Sequence, residues 1–197
     1  MKSVMKSVSP RICEKVASGD CTILVSKTAP KQVPFKCYIY CTKAKKQDDI
    51  IWAGVCGDRG AWNEHIIGEF VCDKVIKTCG WRLRGDTQQC AKRTTAEEAF
   101  PKLACLTIDE IVKYAGSENR EVCGWHISDL KIYDKPKELS EFSTMCRYKN
   151  NDGTCQFYKV DCRYQQRDYN QDGSINIVEC GKPITRAPQS WQYVEEW

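Results

Sequence analysis

Short apolar runs broken by turn residues dominate the chain, with helical spacing in only a few places. KSVMKSV (2–8), TILVSK (22–27), FKCYIYCTK (35–43), IIGEFVCDKVI (66–76) and CGWHISDLKIYD (123–134) each have strand composition. Ile67, Phe70 and Cys72 are the expected core members of the fourth run. Between the first two runs, Ser9-Pro10 marks a helix start, with Ser9 as N-cap and Pro10 in the first turn. Ile12, Cys13, Val16 and Ala17 then share one helical face, and Gly19 closes the helix. Thr107-Ile108-Asp109-Glu110 is a capping box that opens a second helix. That helix turns Ile108, Ile111, Val112 and Ala115 inward and ends at Gly116. KELSEF (137–142) is expected to form one or two helical turns, while residues 44–64 read as a long loop and 85–104 carry no clear pattern. Strand-rich segments with few helices and no regular alternation predict an α+β fold around a compact barrel.

Composition changes this picture little. The 197 residues suffice for one domain with an appendage, and no apolar run reaches the ~18 residues of a membrane span. MKSVMKSVSP lacks the apolar stretch of a secretory leader, so a cytoplasmic location is expected. In a reducing cytosol most of the 14 cysteines, including the ten from Cys13 to Cys123, read as small core residues rather than disulfides. The net charge of +4 is uneven: residues 1–47 carry +8 and the remainder −4. A basic N-terminal third suits phosphate-bearing partners or a merely solvated surface.

The polar tail has chemistry of its own. DYNQDGSINIVE (168–179) fits the EF-hand loop pattern, but Cys180-Gly181-Lys182-Pro183 leaves no room for the helix that should follow. A β-hairpin turning at Asn170–Gly173 is the simpler reading, and calcium is not expected. CRYKNNDGTC (146–155) is a weaker copy of the stretch 162–180. Two such hairpins would offer Cys146, Cys155, Cys162 and Cys180 to one tetrahedral zinc, with a pair of disulfides as the alternative.

Four stretches together resemble a known family: CYIYCTK (37–43), IIGEFVCDKV (66–75), GWHISDLKIYDKPKELSEF (124–142) and ITRAPQSWQYVEE (184–196). They resemble the ASCH domains of bacteria and their phages, which have a PUA-like fold, a small mixed β-barrel flanked by helices. The resemblance implies a barrel over residues 1–144, a Cys-rich insertion at 145–182, and a terminal segment, 183–197, that packs back through Trp191 and Tyr193. It implies binding of RNA or a modified nucleobase in a cleft; some relatives cleave RNA or deacylate modified cytidine.

The family signature Gly-x-Lys-x-x-Glu-x-Arg aligns on Gly19, where this chain has Cys21, Leu24 and Ser26 for the three ionic residues. Lys27, Thr28 and Pro30 of the following Lys-Thr-Arg-Pro are kept, but Ala29 replaces its Arg. Thiol, isobutyl and hydroxymethyl groups supply neither a base nor a fork for phosphate. Cys21 as a nucleophile would need a base, and the chain has only His65 and His126. Alternation places Cys21 with Lys27 and apart from Leu24 and Ser26.

What remains for a ligand is Lys27, Thr28, Glu69, Trp125, His126 and Ser128, with Lys27 on phosphate and Trp125 or His126 stacking a base. By the same alternation, one of Trp125 and His126 points inward. Non-catalytic binding of RNA or a modified nucleobase or nucleotide is the favoured reading. An ASCH-type hydrolase or ribonuclease with rearranged residues, and a protein-interaction or phage counter-defence module, are the alternatives.

Overall fold

A computed structural model describes residues 1–44, 62–84, 94–144, 165–169, 175–180 and 182–196, with the strands at 165–169, 175–180 and 182–183 described as backbone. In chain order the elements are β1 (Ser3–Val8), α1 (Pro10–Ala17), β2 (Ile23–Ser26), β3 (Phe35–Cys41), β4 (Ile66–Cys72) and β5 (Val75–Cys79). Then come α2 (Gly80–Arg84), α3 (Thr95–Leu103), α4 (Ile108–Ala115), β6 (Glu121–His126), β7 (Ser128–Lys137), β8 (Phe142–Thr144), β9 (Gln165–Tyr169), β10 (Ile175–Cys180), β11 (Lys182–Pro183) and β12 (Trp191–Glu196).

The fold is α+β, as expected, but among the described residues its sheets do not close into a barrel. A seven-stranded sheet has the order β11-β8-β12-β1-β3-β4-β7, and a three-stranded sheet has the order β2-β6-β5. Only β1 and β3 run parallel in the large sheet; the other ladders are antiparallel. β9 and β10 form a separate antiparallel pair, the arrangement that the hairpin reading of this stretch requires.

Two runs read as single strands are each divided between the sheets. Residues 66–76 break at the exposed pair Asp73-Lys74, which sends β4 into the large sheet and β5 into the small one. Residues 123–134 break at Ile127, sending β6 into the small sheet and β7 into the large one. Just past that break Asp129 has φ 48°, a left-handed conformation uncommon for a residue with a Cβ. KELSEF gives only a 3₁₀ turn at Leu139–Glu141.

The helices follow their caps. Pro10 stands in the first turn of α1, and the helix buries Pro10, Cys13 and Val16. Ser9 is at the N-cap, yet its side chain makes no capping bond. In α4, Thr107 Oγ1 accepts from Glu110 N–H at 3.2 Å, and Glu110 Oε2 accepts from Thr107 N–H at 2.8 Å. That helix buries Ile111 and Ala115 and ends at Gly116, whose φ of 95° suits a residue without a Cβ. A second capping box, Thr94 with Glu97, opens α3 in the stretch that carried no clear pattern.

Three apolar clusters result. Val4, Val8, Cys13, Val16, Phe35, Ile39, Phe70 and Trp125 belong to the one between the two sheets. Met5, Tyr38, Ile66, Phe142 and Val194 cover the other face of the large sheet, and Ile23, Phe100, Ile111 and Val122 join the small sheet to α3 and α4. Of the eight cysteines whose side chains are described, seven are buried and all eight are free thiols, in keeping with their reading as small core residues. β12 returns to pair with β1, and Trp191 packs on Trp125 with ring centres 5.7 Å apart. No helix among the described residues is long and apolar enough to cross a membrane.

Candidate functional site

Period two in β1 gives the site its least expected residue. Val4, Lys6 and Val8 share one face, and Val4 and Val8 lie in the cluster between the sheets. Lys6 follows them inward and is only 3% exposed. Its Nζ stands 4.9 Å from the centre of the Trp125 ring, with no carboxylate or hydrogen-bond acceptor paired to it among the described residues. Burial pulls the Lys6 ammonium down to about 8, and the neighbouring Cys37 and Cys123 only partly oppose this.

Beside Lys6 lies a cavity of about 230 Å³ between the end of β1, the start of α1, β2 and the segment 104–114. Val8, Ile12, Leu24 and Leu106 give it apolar walls, and Ser7, Ser9, Glu110 and Tyr114 add polar groups. Among the described residues β2 pairs with β6 alone, so its other edge is free of ladder bonds where Ile23, Leu24 and Val25 meet the cavity. An unpaired strand edge offers peptide N–H and C=O groups to a flat heterocycle. Among the described residues Glu110 is the only carboxylate lining the cavity, and it is already engaged. It accepts from the Thr107 backbone N–H and from Arg11 at 2.6 Å, which together hold its carboxyl below the usual range. At the mouth Tyr114 is 37% exposed, and Lys27 Nζ lies 5.6 Å from its ring centre.

Of the six residues expected to gather around a ligand, Lys27 alone reaches this mouth. Thr28 Oγ1 accepts a hydrogen bond from Trp191 Nε1 at 2.9 Å. Glu69 on β4 is paired with Lys36 at 2.9 Å and accepts from the Tyr133 hydroxyl at 2.6 Å. Burial works against its ionisation, but those two donors outweigh it and hold the carboxyl below its ordinary value. Trp125 is fully buried and T-shaped against Phe35 at 5.0 Å, so it has no face to offer a base. His126 Nδ1 lies 2.6 Å from Asp73 Oδ1, and Ser128 Oγ donates to the Val71 carbonyl at 2.8 Å. These contacts hold the strands where they cross between sheets. Tyr114 on α4, which the sequence pattern does not single out, is an exposed aromatic at this mouth.

The altered signature is core. Cys21 and Leu24 are each 2% exposed and Ser26 is fully buried. Cys21 precedes β2 and joins Leu24 in the cluster between the sheets, contrary to the alternation read through residue 21. Burial pushes the Cys21 thiol up to about 12, with Cys105 adding to the rise. The thiol lies within hydrogen-bonding reach of the Ile23 carbonyl at 3.1 Å. Neither histidine serves it: His65 is held by the Asn63 carbonyl and Glu138, and His126 by Asp73.

Of the four cysteines expected to hold zinc, Cys146, Cys155 and Cys162 lie outside the described residues. Cys180 ends β10, opposite Gln165. Among the described residues no three His, Cys, Asp or Glu side chains converge as a metal site would need.

No family model matches this chain, and none of the curated proteins matches it. Solved structures do. The ASCH of Zymomonas mobilis matches at 14% identity and a TM-score of 0.47, over 70% of this chain and 74% of that one. Two mutant proteins of the same ASCH match at 13% and 14% identity with TM-scores of 0.48 and 0.46. They cover 71% and 70% of this chain against 77% and 74% of their own. The described chain is similar to ASCH-domain structures, the family that its own residues resemble.

Proposed function

We propose that this protein binds one unpaired nucleobase, free or within RNA, in the cavity beside Lys6, and that it does so without catalysis. The observation that carries the reading is the mouth itself, where an exposed Tyr114 ring lies under the Lys27 ammonium at 5.6 Å. A ring at a cavity entrance stacks a base of any sequence, and a lysine beside it meets the attached phosphate. Two further features support it. The free edge of β2 supplies peptide donors and acceptors at the cavity wall, and the volume of about 230 Å³ lies below the ~300–1,000 Å³ of drug-sized pockets, which suits a single ring system. That Cys21, Leu24 and Ser26, buried and uncharged, stand where the signature of the ASCH domains that the chain resembles has Lys, Glu and Arg supports binding over turnover.

Fluorescence anisotropy with a labelled single-stranded RNA, competed by free nucleosides and by mononucleotides, tests the reading. Competition by nucleotides is expected, with affinity reduced by Tyr114→Ala and by Lys27→Ala. Binding that ignores both substitutions would overturn it and favour a protein-interaction surface.

A further inference from the structure

Lys6 is not needed at the mouth, where Lys27 already meets solvent, and the nucleobase reading leaves its burial unexplained. A lysine between Val4 and Val8 on the inner face of a strand is costly unless something compensates it. The groups that face it are the Cys37 thiol from β3 and, from β6, the Cys123 thiol and the Trp125 ring. The only carboxylate among the described residues on the adjoining cavity, Glu110 from α4, is bound to Arg11 and to the Thr107 backbone. Lys6 also lines the cavity, and an amine with no anionic partner among the described residues, almost withdrawn from water, is set up as a nucleophile rather than as a charge.

We propose that Lys6 captures carbonyl compounds, forming an imine with a small flat aldehyde seated in the 230 Å³ cavity. The nitrogen lone pair attacks the carbonyl carbon, and the π electrons of the C=O bond move to oxygen, which takes up a proton. The resulting carbinolamine then loses that oxygen as water, with the two amine hydrogens accounted for in the water released. One C=N bond replaces one C=O bond, and neither an oxidant nor a reductant is consumed. Burial assists because, with the ammonium pulled down to about 8, roughly one molecule in ten carries a neutral amine at pH 7. The apolar walls formed by Val8, Ile12 and Leu24 also keep water from hydrolysing the product. This chemistry does not depend on nucleobase binding, since the aldehyde needs neither phosphate nor ring nitrogens.

Benzaldehyde with sodium cyanoborohydride, applied to the full chain at pH 7.5, traps any imine as a stable secondary amine that peptide mass mapping can locate. Lys6 is expected to label at least ten-fold faster than the exposed lysines, with a rate that climbs with pH and levels off above about 8. The Lys6→Met protein should lose the fast adduct while keeping the slow ones. Should that variant fail to fold, the map of the unaltered protein decides alone. Labelling of Lys6 at or below the rate of exposed lysines, or only after addition of urea, would overturn the proposal. Failure of RNA to bind would leave the benzaldehyde result standing, and the two readings are therefore separable.

Discussion

Lys6 and Trp125 meet across the space between the two sheets, the ammonium 4.9 Å from the centre of the indole ring. A cation over an indole gains about 0.5–2 kcal/mol, whereas loss of hydration costs a buried ammonium several kcal/mol. Desolvation therefore wins, and the proton is held more weakly in the folded protein than in the unfolded chain.

Lys6 should accordingly make stability depend on pH. Between about 8 and its ordinary 10.5 the unfolded chain keeps a proton that the folded protein has released, so this group raises stability as pH climbs through that window. Below pH 8 its full penalty is felt. Lys6→Met should therefore stabilise the protein at pH 7 by on the order of 3 kcal/mol, with the gain shrinking towards pH 10. Thiols pushed up to about 12, such as Cys21 and Cys72, act in the opposite sense above pH 9, but they do so in both proteins and cancel in the difference. Urea unfolding of the two proteins at several pH values checks this, and a pH-independent difference refutes it.

At the mouth of the cavity, stacking and charge should separate cleanly. Tyr114→Phe keeps the ring and should bind RNA nearly as well as the unaltered protein, while Tyr114→Ala should lose about 1–3 kcal/mol. Lys27→Ala should weaken all sequences alike and reduce the slope of log affinity against log salt by about one. Anisotropy titrations across a salt series measure both.

The stretch from Cys21 to Ser26 should behave as core. Leu24→Glu would place a carboxylate at a position 2% exposed, and a loss of more than about 3 kcal/mol is expected by thermal or urea unfolding. Ser26→Ala should do the reverse. The Ser26 hydroxyl is buried with no hydrogen-bond partner among the described residues, so its removal should stabilise by about 1 kcal/mol.

Gly124 is fixed by a ring. A Cβ there would stand 2.5 Å from Phe100 Cε2 and 3.1 Å from Ile23 Cδ1, and both side chains are fully buried. Gly124→Ala should cost about 1–3 kcal/mol, read as a lowered Tm. An unchanged Tm would mean that Phe100 repacks freely.

Local signals were legible where local chemistry decides the outcome. The caps at Ser9-Pro10 and Thr107 place α1 and α4, and composition alone places most of the strands. The crossings at Asp73-Lys74 and Ile127 were not legible, because a chain passing from one sheet to another keeps the same apolar pattern on both sides. Alternation established that Trp125 and His126 point opposite ways; which of them is buried depends on Phe35 and Trp191, far away in sequence. Lys6 did leave a trace, being the charged member of the Val4, Lys6, Val8 row, but in a basic N-terminal segment it looked like one more surface charge.

The two crossing points also decide how the cavity can change size. They lie side by side, tied by His126 to Asp73 at 2.6 Å, by His126 N–H to the Lys74 carbonyl at 2.9 Å and by Ser128 to Val71 at 2.8 Å. Between β1 and β2 no ladder bond runs among the described residues. At these two crossings strand runs straight on into strand from one sheet to the other, whereas along the β1–β2 seam the sheets meet through side chains packed between them. Widening that seam costs apolar contact and no strand pairing. The largest guest the cavity admits is therefore set by the bulk of Val8, Ile12 and Leu24, and trimming one of these should enlarge it while the sheets stay whole.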